Sequence, residues 1–188
     1  MKGRETFRKY KGIISFLSKM LTILPIKIRS IMWEFVVYFP GKIGVGLRYI
    51  IMSSLIKKCG NNVYIGQGVT IKNISNLSFG DNVSIHNNCY IDALGGISIG
   101  DNVSIAHNSS ILSFDHTWDD KSIPIKYNPL KPSSVSIKDD VWIGCGCRIM
   151  SGVIINSRSI IAAGAVINKE VGSNQIVGGI PGRTIKKI

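Results

Sequence analysis

The sequence predicts a mainly β chain: a parallel β-solenoid behind an N-terminal helical segment, with one protruding loop. Three observations predict it. Small or apolar residues recur every six positions in an unbroken run: Val135, Val141, Cys147, Val153, Ser159, Ala165, Val171 and Val177. A second series, almost all isoleucine, runs two residues behind: Ile65, Ile71, Phe79, Ile85, Ile91, Ile99, Ile105 and Ile111, then Ile137, Ile143, Ile149, Ile155, Ile161 and Ile167. Glycine follows the second series at Gly80, Gly100 and Gly144, twice with Asp-Asn behind it.

Residues i and i+2 of a strand share one face. An inward pair followed by four mostly polar residues therefore makes a short strand and a bend. Gly, Asp and Asn tolerate the positive φ values that such bends need. A period of six is too short for helical repeats, and it fits coils stacked about 4.8 Å apart. Three such segments close a triangular coil, so residues 60–180 give roughly six coils, about 30 Å long. A sandwich of alternating strands would show variable spacing, against a step that holds at six through eight positions.

The interruptions are as informative as the repeat. Earlier runs are Val63 and Val69; Leu77, Val83 and Cys89; Ile97, Val103 and Ser109. The steps between them are eight, eight and then twenty-six, up to Val135. The excess over six is inserted at corners, and the last insertion is a loop over 113–134. Long loops leaving a rigid scaffold are as a rule functional or disordered. Three regions follow: a basic, apolar helical segment over 1–58, the repeat region over 59–182 with its loop, and a C-terminal tail over 183–188.

Of the net charge of +12, residues 1–58 hold twelve Lys/Arg and two Asp/Glu, hence +10. Phe7, Tyr10, Ile14, Leu17, Met20 or Leu21, and Leu24 fall at helical spacing with Lys and Arg between them, and Pro25 stops that helix. Residues 45–58 read as a second helix that caps the open end of the first coil. The first helix would dock on a neighbouring subunit or lie in a membrane interface. No motif that reads nucleic acid accompanies the charge, so residues 1–40 point to peripheral contact with an anionic membrane and not to nucleic acid. The apolar stretches are too short and too interrupted to span a bilayer, and no cleavage site marks a signal peptide. Four cysteines form no disulfide framework or zinc ribbon. The expected location is cytoplasmic, at the inner face of the membrane.

Several motifs carry a resemblance: the six-residue pattern, Asp115-His116 in the loop, Asp140-Val141-Trp142-Ile143-Gly144, and the ending Gly178-Gly179-Ile180-Pro181-Gly182-Arg183. Over about residues 60–188 the chain resembles the hexapeptide-repeat acyltransferases, among them the galactoside, maltose and streptogramin acetyltransferases and the bacterial polysaccharide O-acetyltransferases. The resemblance implies a left-handed β-helix, a homotrimer with sites between subunits, and acetyl-CoA as co-substrate with no metal. It implies an O-acetyltransferase acting on a saccharide, a surface polysaccharide or its precursor. An antibiotic or amino-sugar acceptor is the alternative, followed by a non-catalytic solenoid and a zinc carbonic-anhydrase-like enzyme, which would need converging histidines.

Acetyl transfer to an alcohol needs a base for the hydroxyl proton and donors for the oxyanion. Histidine suits the first task because its pKa lies near neutrality. His116, in the loop beside Asp115, also matches the family's catalytic histidine. His86 faces outward at a corner where relatives usually carry asparagine; with Asn88, Asp92 and Asp115 it is assigned to acceptor binding. His107 reads as a solvent-exposed corner residue. By resemblance, coenzyme A would meet Trp142, Gly144 and Cys145 at the acyl end, Ala163 and Gly164 along the pantetheine, and Lys169, Arg183 and Lys186 at the phosphates. Cations there suit a polyanion. Relatives often have serine in the place of Cys145, so direct transfer is expected and not an acyl-cysteine.

Overall fold

The computed structural model describes residues 3–188. Three helices come first, α1 (Gly3–Leu21), α2 (Ile26–Val36) and α3 (Gly41–Leu55), and all later regular structure is short strands and two 3-10 turns. The strands stack in parallel into the three faces of a triangular prism. Face A holds Leu77–Phe79, Ile97–Ile99, Val135–Ile137 and Ile154–Ile155. Face B holds Tyr64–Ile65, Ser84–Ile85, Ser104–Ile105, Trp142–Ile143, Ile160–Ile161 and Gln175–Gly178. Face C holds Thr70–Lys72, Tyr90–Asp92, Ser110–Leu112, Arg148–Ile149 and Val166–Ile167. The six parallel strands of face B match the six coils expected from the period.

Both six-residue series point inward, and every member of each is buried. Register is strict: Ile85, Ile105 and Ile143 pair in succession on face B, and Ile91, Ile111 and Ile149 on face C. Like side chains thus stack on like down the axis. The polar residues among them are satisfied: Ser109 Oγ donates to Gly144 O at 3.0 Å, and Ser159 Oγ to Gly172 O at 2.8 Å.

The Gly-Asp-Asn signature is explained at the corner from A to B. Asn62, Asn82 and Asn102 have φ of 54°, 58° and 57°, and their side-chain amides form a ladder at 2.9 and 3.0 Å. Asp101 and Asp139 each accept the N–H of an aspartate one coil below, at 2.7 Å. That carboxylate leans over the preceding glycine, so a Cβ on Gly80 or Gly100 would lie 2.2 Å from Asp101 or Asp139 Oδ1. Only glycine leaves room for the ladder. All three insertions fall at a different corner, from C to A: residues 73–76, 93–96 and 113–134.

The N-terminal segment holds three helices rather than two. Residues 26–36, apolar but unassigned in the sequence, form α2 around the buried Trp33. α3 starts at Gly41 and stops at Leu55, short of Lys58. It stops because Lys57 N–H already bonds Leu77 O and Gly60 N–H bonds Phe79 O, so this stretch has joined the first coil. α3 lies on that coil. The guanidinium of Arg48, 2% exposed, is the rivet: Nε donates to Ile65 O at 2.8 Å and Nη1 to Phe39 O at 2.7 Å. Burial lowers its pKa. α1 docks on α3 of its own chain, through Phe7 against Tyr49 (5.3 Å, edge to face) and Ser18 against Ser53 (2.7 Å). The C-terminal tail expected over 183–188 contains regular structure. Arg183–Lys187 is a strand, antiparallel to Gln175–Gly178, and it covers the edge that the last coil would leave open on face B.

Arg48→Met leaves buried carbonyls without a donor. It should cost about 2–4 kcal/mol in urea unfolding. At high pH a second effect appears. Burial lifts the Cys59 thiol from 9.0 to about 12, so it stays neutral when folded and ionises on unfolding. Its contribution is complete below pH 9 and is lost as pH rises towards 12. The unfolding midpoint should fall across that window, and Cys59→Ala should flatten the fall.

Candidate functional site

The candidate site residues gather at two corners of the prism. At the C-to-A corner the 113–134 insertion forms an arm. Phe114–His116 and Leu130–Pro132 pair antiparallel, with His116 opposite Leu130 and Asp115 opposite Lys131. The arm's root is tied into the solenoid: buried Ser113 donates from Oγ to Asp92 O at 2.8 Å, and Ser133 N–H bonds Ser113 O at 2.8 Å. Asp115 Oδ2 accepts from Ser151 Oγ of the next coil at 2.5 Å. The tip is braced from within by Asn128, 5% exposed, whose amide bonds Asp120 N–H and O at 3.0 and 3.1 Å. Hydrogen bonds from Ser122 hold the Asp120 carboxyl below its usual range.

The arm presents His116 to solvent. Its ring lies 6.2 Å from that of Phe114, and among the described residues its nitrogens have no hydrogen-bond partner. Trp118, Ile125 and Tyr127 are also exposed on the arm. Asp92 sits at the same corner but is buried, its carboxylate held by Asn73 Nδ2 at 2.7 Å. Asp92 therefore braces the corner beneath the arm.

The B-to-C corner carries a different stack. Residues 66–68, 86–88, 106–108, 144–146 and 162–164 lie one above another, and Asn88, Asn108, Gly146 and Gly164 all have positive φ. Gly146 N–H bonds His107 O at 3.0 Å, and Gly164 N–H bonds Cys145 O at 2.8 Å. Gly144 must be glycine, because a Cβ there would lie 2.6 Å from Ala163 N. Outside Gly146 and Gly164 lies open space, with nothing within 4 Å of an added Cβ. Cys145 is half-buried and Ala163 exposed, so the corner forms a smooth ledge of small residues. His86 and Asn88 lie on this stack two coils before Cys145, with the Tyr64 ring 5.6 Å from that of His86. Trp142, on face B between Ser104 and Ile160, lines a 290 Å³ cleft with Arg158 and Ile188. Arg183 and Lys186 extend that face on its last strand, while exposed Lys169 lies beyond face C.

One chain therefore brings together Trp142, Gly144, Cys145, Ala163 and Gly164, and separately His116, Asp115 and Asp92. Face C lies between the groups, on the order of 15 Å at about 3.3 Å per strand residue. Among the described residues no three His, Cys, Asp or Glu side chains converge as a metal site. Ser151 and Asn128 were missed in the sequence. The repeat register contained the first, because Ile111 pairs with Ile149, which sets Ser151 beside the arm's root. Arg148 was missed too; its Nη1 donates to Asn108 O and Gly146 O, bracing the ledge at 2.9 and 3.1 Å.

Comparison with known proteins agrees with this architecture. Residues 134–169 match the family described as bacterial transferase hexapeptide (six repeats). A galactoside acetyltransferase solved with coenzyme A aligns at 25% identity and TM-score 0.76, over 87% of this chain and 82% of that one. A maltose O-acetyltransferase of Clostridium difficile 630 aligns at 27% identity and TM-score 0.77, over 89% and 88%. A 2,3,4,5-tetrahydropyridine-2,6-dicarboxylate N-acetyltransferase of Staphylococcus aureus (strain JH9) is 39% identical over 59 residues, 31% of this chain and 25% of that one. The chain spans only about a quarter of the length of the curated relatives it matches.

The internal brace of the arm is separate from the solenoid core. Asn128→Ala should speed limited proteolysis within 117–129 several-fold while leaving the thermal transition within about 1 kcal/mol of wild type.

Proposed function

We propose, for a chain built of bacterial transferase hexapeptide repeats, that it transfers acetyl from acetyl-coenzyme A to a hydroxyl of a saccharide. The observation that carries this reading is the pairing of a rigidly rooted, solvent-facing imidazole with a ledge of small residues ending at an exposed indole. The similarity to galactoside and maltose acetyltransferases, one of them with coenzyme A, supports both donor and acceptor class.

The thioester lies along the ledge, with its pantetheine against Ala163 and Gly164 and its acyl end near Trp142, Gly144 and Cys145. Lys169, Arg183 and Lys186 meet its phosphates. His116 removes the proton as the acceptor oxygen attacks the thioester carbonyl, then returns it to the departing sulfur. The Cys145 N–H has no carbonyl partner among the described residues and is the donor offered to the oxyanion. Transfer is direct. Asp115, fixed by Ser151, and the pair His86 and Asn88 contact the acceptor. Because arm and ledge occupy different corners, the arm of one copy faces the ledge of another, and a homotrimer gives three such sites. The exposed Trp118, Ile125 and Tyr127 supply apolar surface for that contact. Four free cysteines suit a reducing, cytoplasmic compartment and a surface-polysaccharide precursor as acceptor. An amine acceptor is the second reading, favoured by the N-acetyltransferase similarity.

The test is a thiol-release assay with acetyl-coenzyme A over a panel of sugars and amino sugars. His116→Ala should lower turnover about a hundred- to ten-thousand-fold, and Cys145→Ala should leave it within a few-fold. Loss of activity in both alike would point to an acyl-cysteine; activity on no sugar hydroxyl would overturn the acceptor class.

A further inference from the structure

The helical cap carries a surface that the acyl-transfer reading does not use. With about 100° per residue, Phe7, Ile14, Ser18 and Leu21 share the face of α1 turned to α3. Ile13, Phe16 and Met20 share the opposite arc and are exposed. On α2 the pattern repeats: Trp33 is buried, and Ile28, Ile31 and Phe35 lie opposite it, exposed. Of 24 large hydrophobics exposed among the described residues, 13 fall within residues 10–43. A concentration of this kind marks an interaction surface, whereas scattered exposed side chains do not.

Charge identifies the partner. On α1, Lys9 lies within the arc, between Phe16 and Met20 around the helix, and Arg8 and Lys19 border it on one side. Lys11, Lys19, Lys57 and Lys58 line a 290 Å³ cleft between α1 and the first coil that no carboxylate lines. A second copy of the chain would bring another +10 segment against this one. An anionic bilayer suits this charge, because acyl chains take the apolar arc while phosphates take Arg8, Lys9 and Lys19 in and beside it; the cleft lysines, on the α3 side of α1, add to the long-range attraction. No described helix is long and apolar enough to cross a membrane, so the helices lie along the surface.

We propose that α1 and α2 form a monolayer-docking surface for anionic lipid, with Ile13, Phe16, Met20, Ile28, Ile31 and Phe35 as its apolar contact. Binding by this surface requires no acyl donor, so it can fail or succeed independently of acetyl transfer. The test is sedimentation of the full chain with vesicles of phosphatidylglycerol and phosphatidylcholine in equal parts, against phosphatidylcholine alone. The wild type should bind the mixed vesicles only, and less tightly as salt is raised. Phe16→Glu with Phe35→Glu should weaken binding at least about tenfold with an unchanged circular dichroism spectrum. Should that variant unfold, Ile13→Ser with Ile31→Ser carries the same expectation. Failure of the wild type to bind, or undiminished binding by a folded double variant, overturns the proposal. So does a drop in oligomeric mass in the folded variant, which would assign the face to a second copy.

Discussion

Everything in this molecule depends on one constraint: each coil must hydrogen-bond to the next in register while turning three corners. The strands before the last coil are only two or three residues long, so none would persist alone. Their stability comes from stacking, in which inward side chains sit on one another and the strand amides bond to the coil beside them. The corners must therefore be cheap to turn, and their residues are those that accept positive φ or permit close backbone approach. The two ends of the stack must also be closed. α3, through Arg48, closes the first coil, and the returning strand Arg183–Lys187 covers the edge of the last.

The same constraint decides where chemistry can be placed. A corner can swell without disturbing register, because the strands before and after it remain paired. All three insertions use the corner between faces C and A, and the longest becomes the arm that carries His116. The corner between B and C stays tight, and Gly144, Cys145, Ala163 and Gly164 make it a smooth ledge. One corner offers an exposed imidazole on a braced arm, and the other offers room for an extended ligand. A rigid prism holds them a face apart, so subunit packing rather than folding sets their meeting in the proposed reaction.

Much of this was legible in the residues. The period of six and the paired inward positions gave the faces, the number of coils and the root of the arm. The interruptions of eight, eight and twenty-six located the insertions, though only the register of the strands put all three at one corner. Gly80 and Gly100 read as bend formers in the sequence. In the fold their reason is sharper, because the carboxylate of the next coil occupies the space of a Cβ. Among site residues, Asp92 was assigned to acceptor binding, and in the fold its carboxylate is buried and accepts from Asn73 Nδ2. Residues 26–36 were apolar without a clear period, and their helix forms because Trp33 has somewhere to be buried.

The sequence by itself determined what depends on local repetition: the coil, its corners, the arm and the basic, apolar cap. A period survives in one dimension because each coil repeats the demands of the last. What only the tertiary structure decided are contacts between residues far apart in the chain and without periodic relation. These include Ser151 on Asp115, Arg48 on Ile65, Asn128 within the arm, and the separation of His116 from Trp142 and Cys145. Such contacts follow from which surfaces the folded prism brings side by side, and no spacing along the chain encodes that.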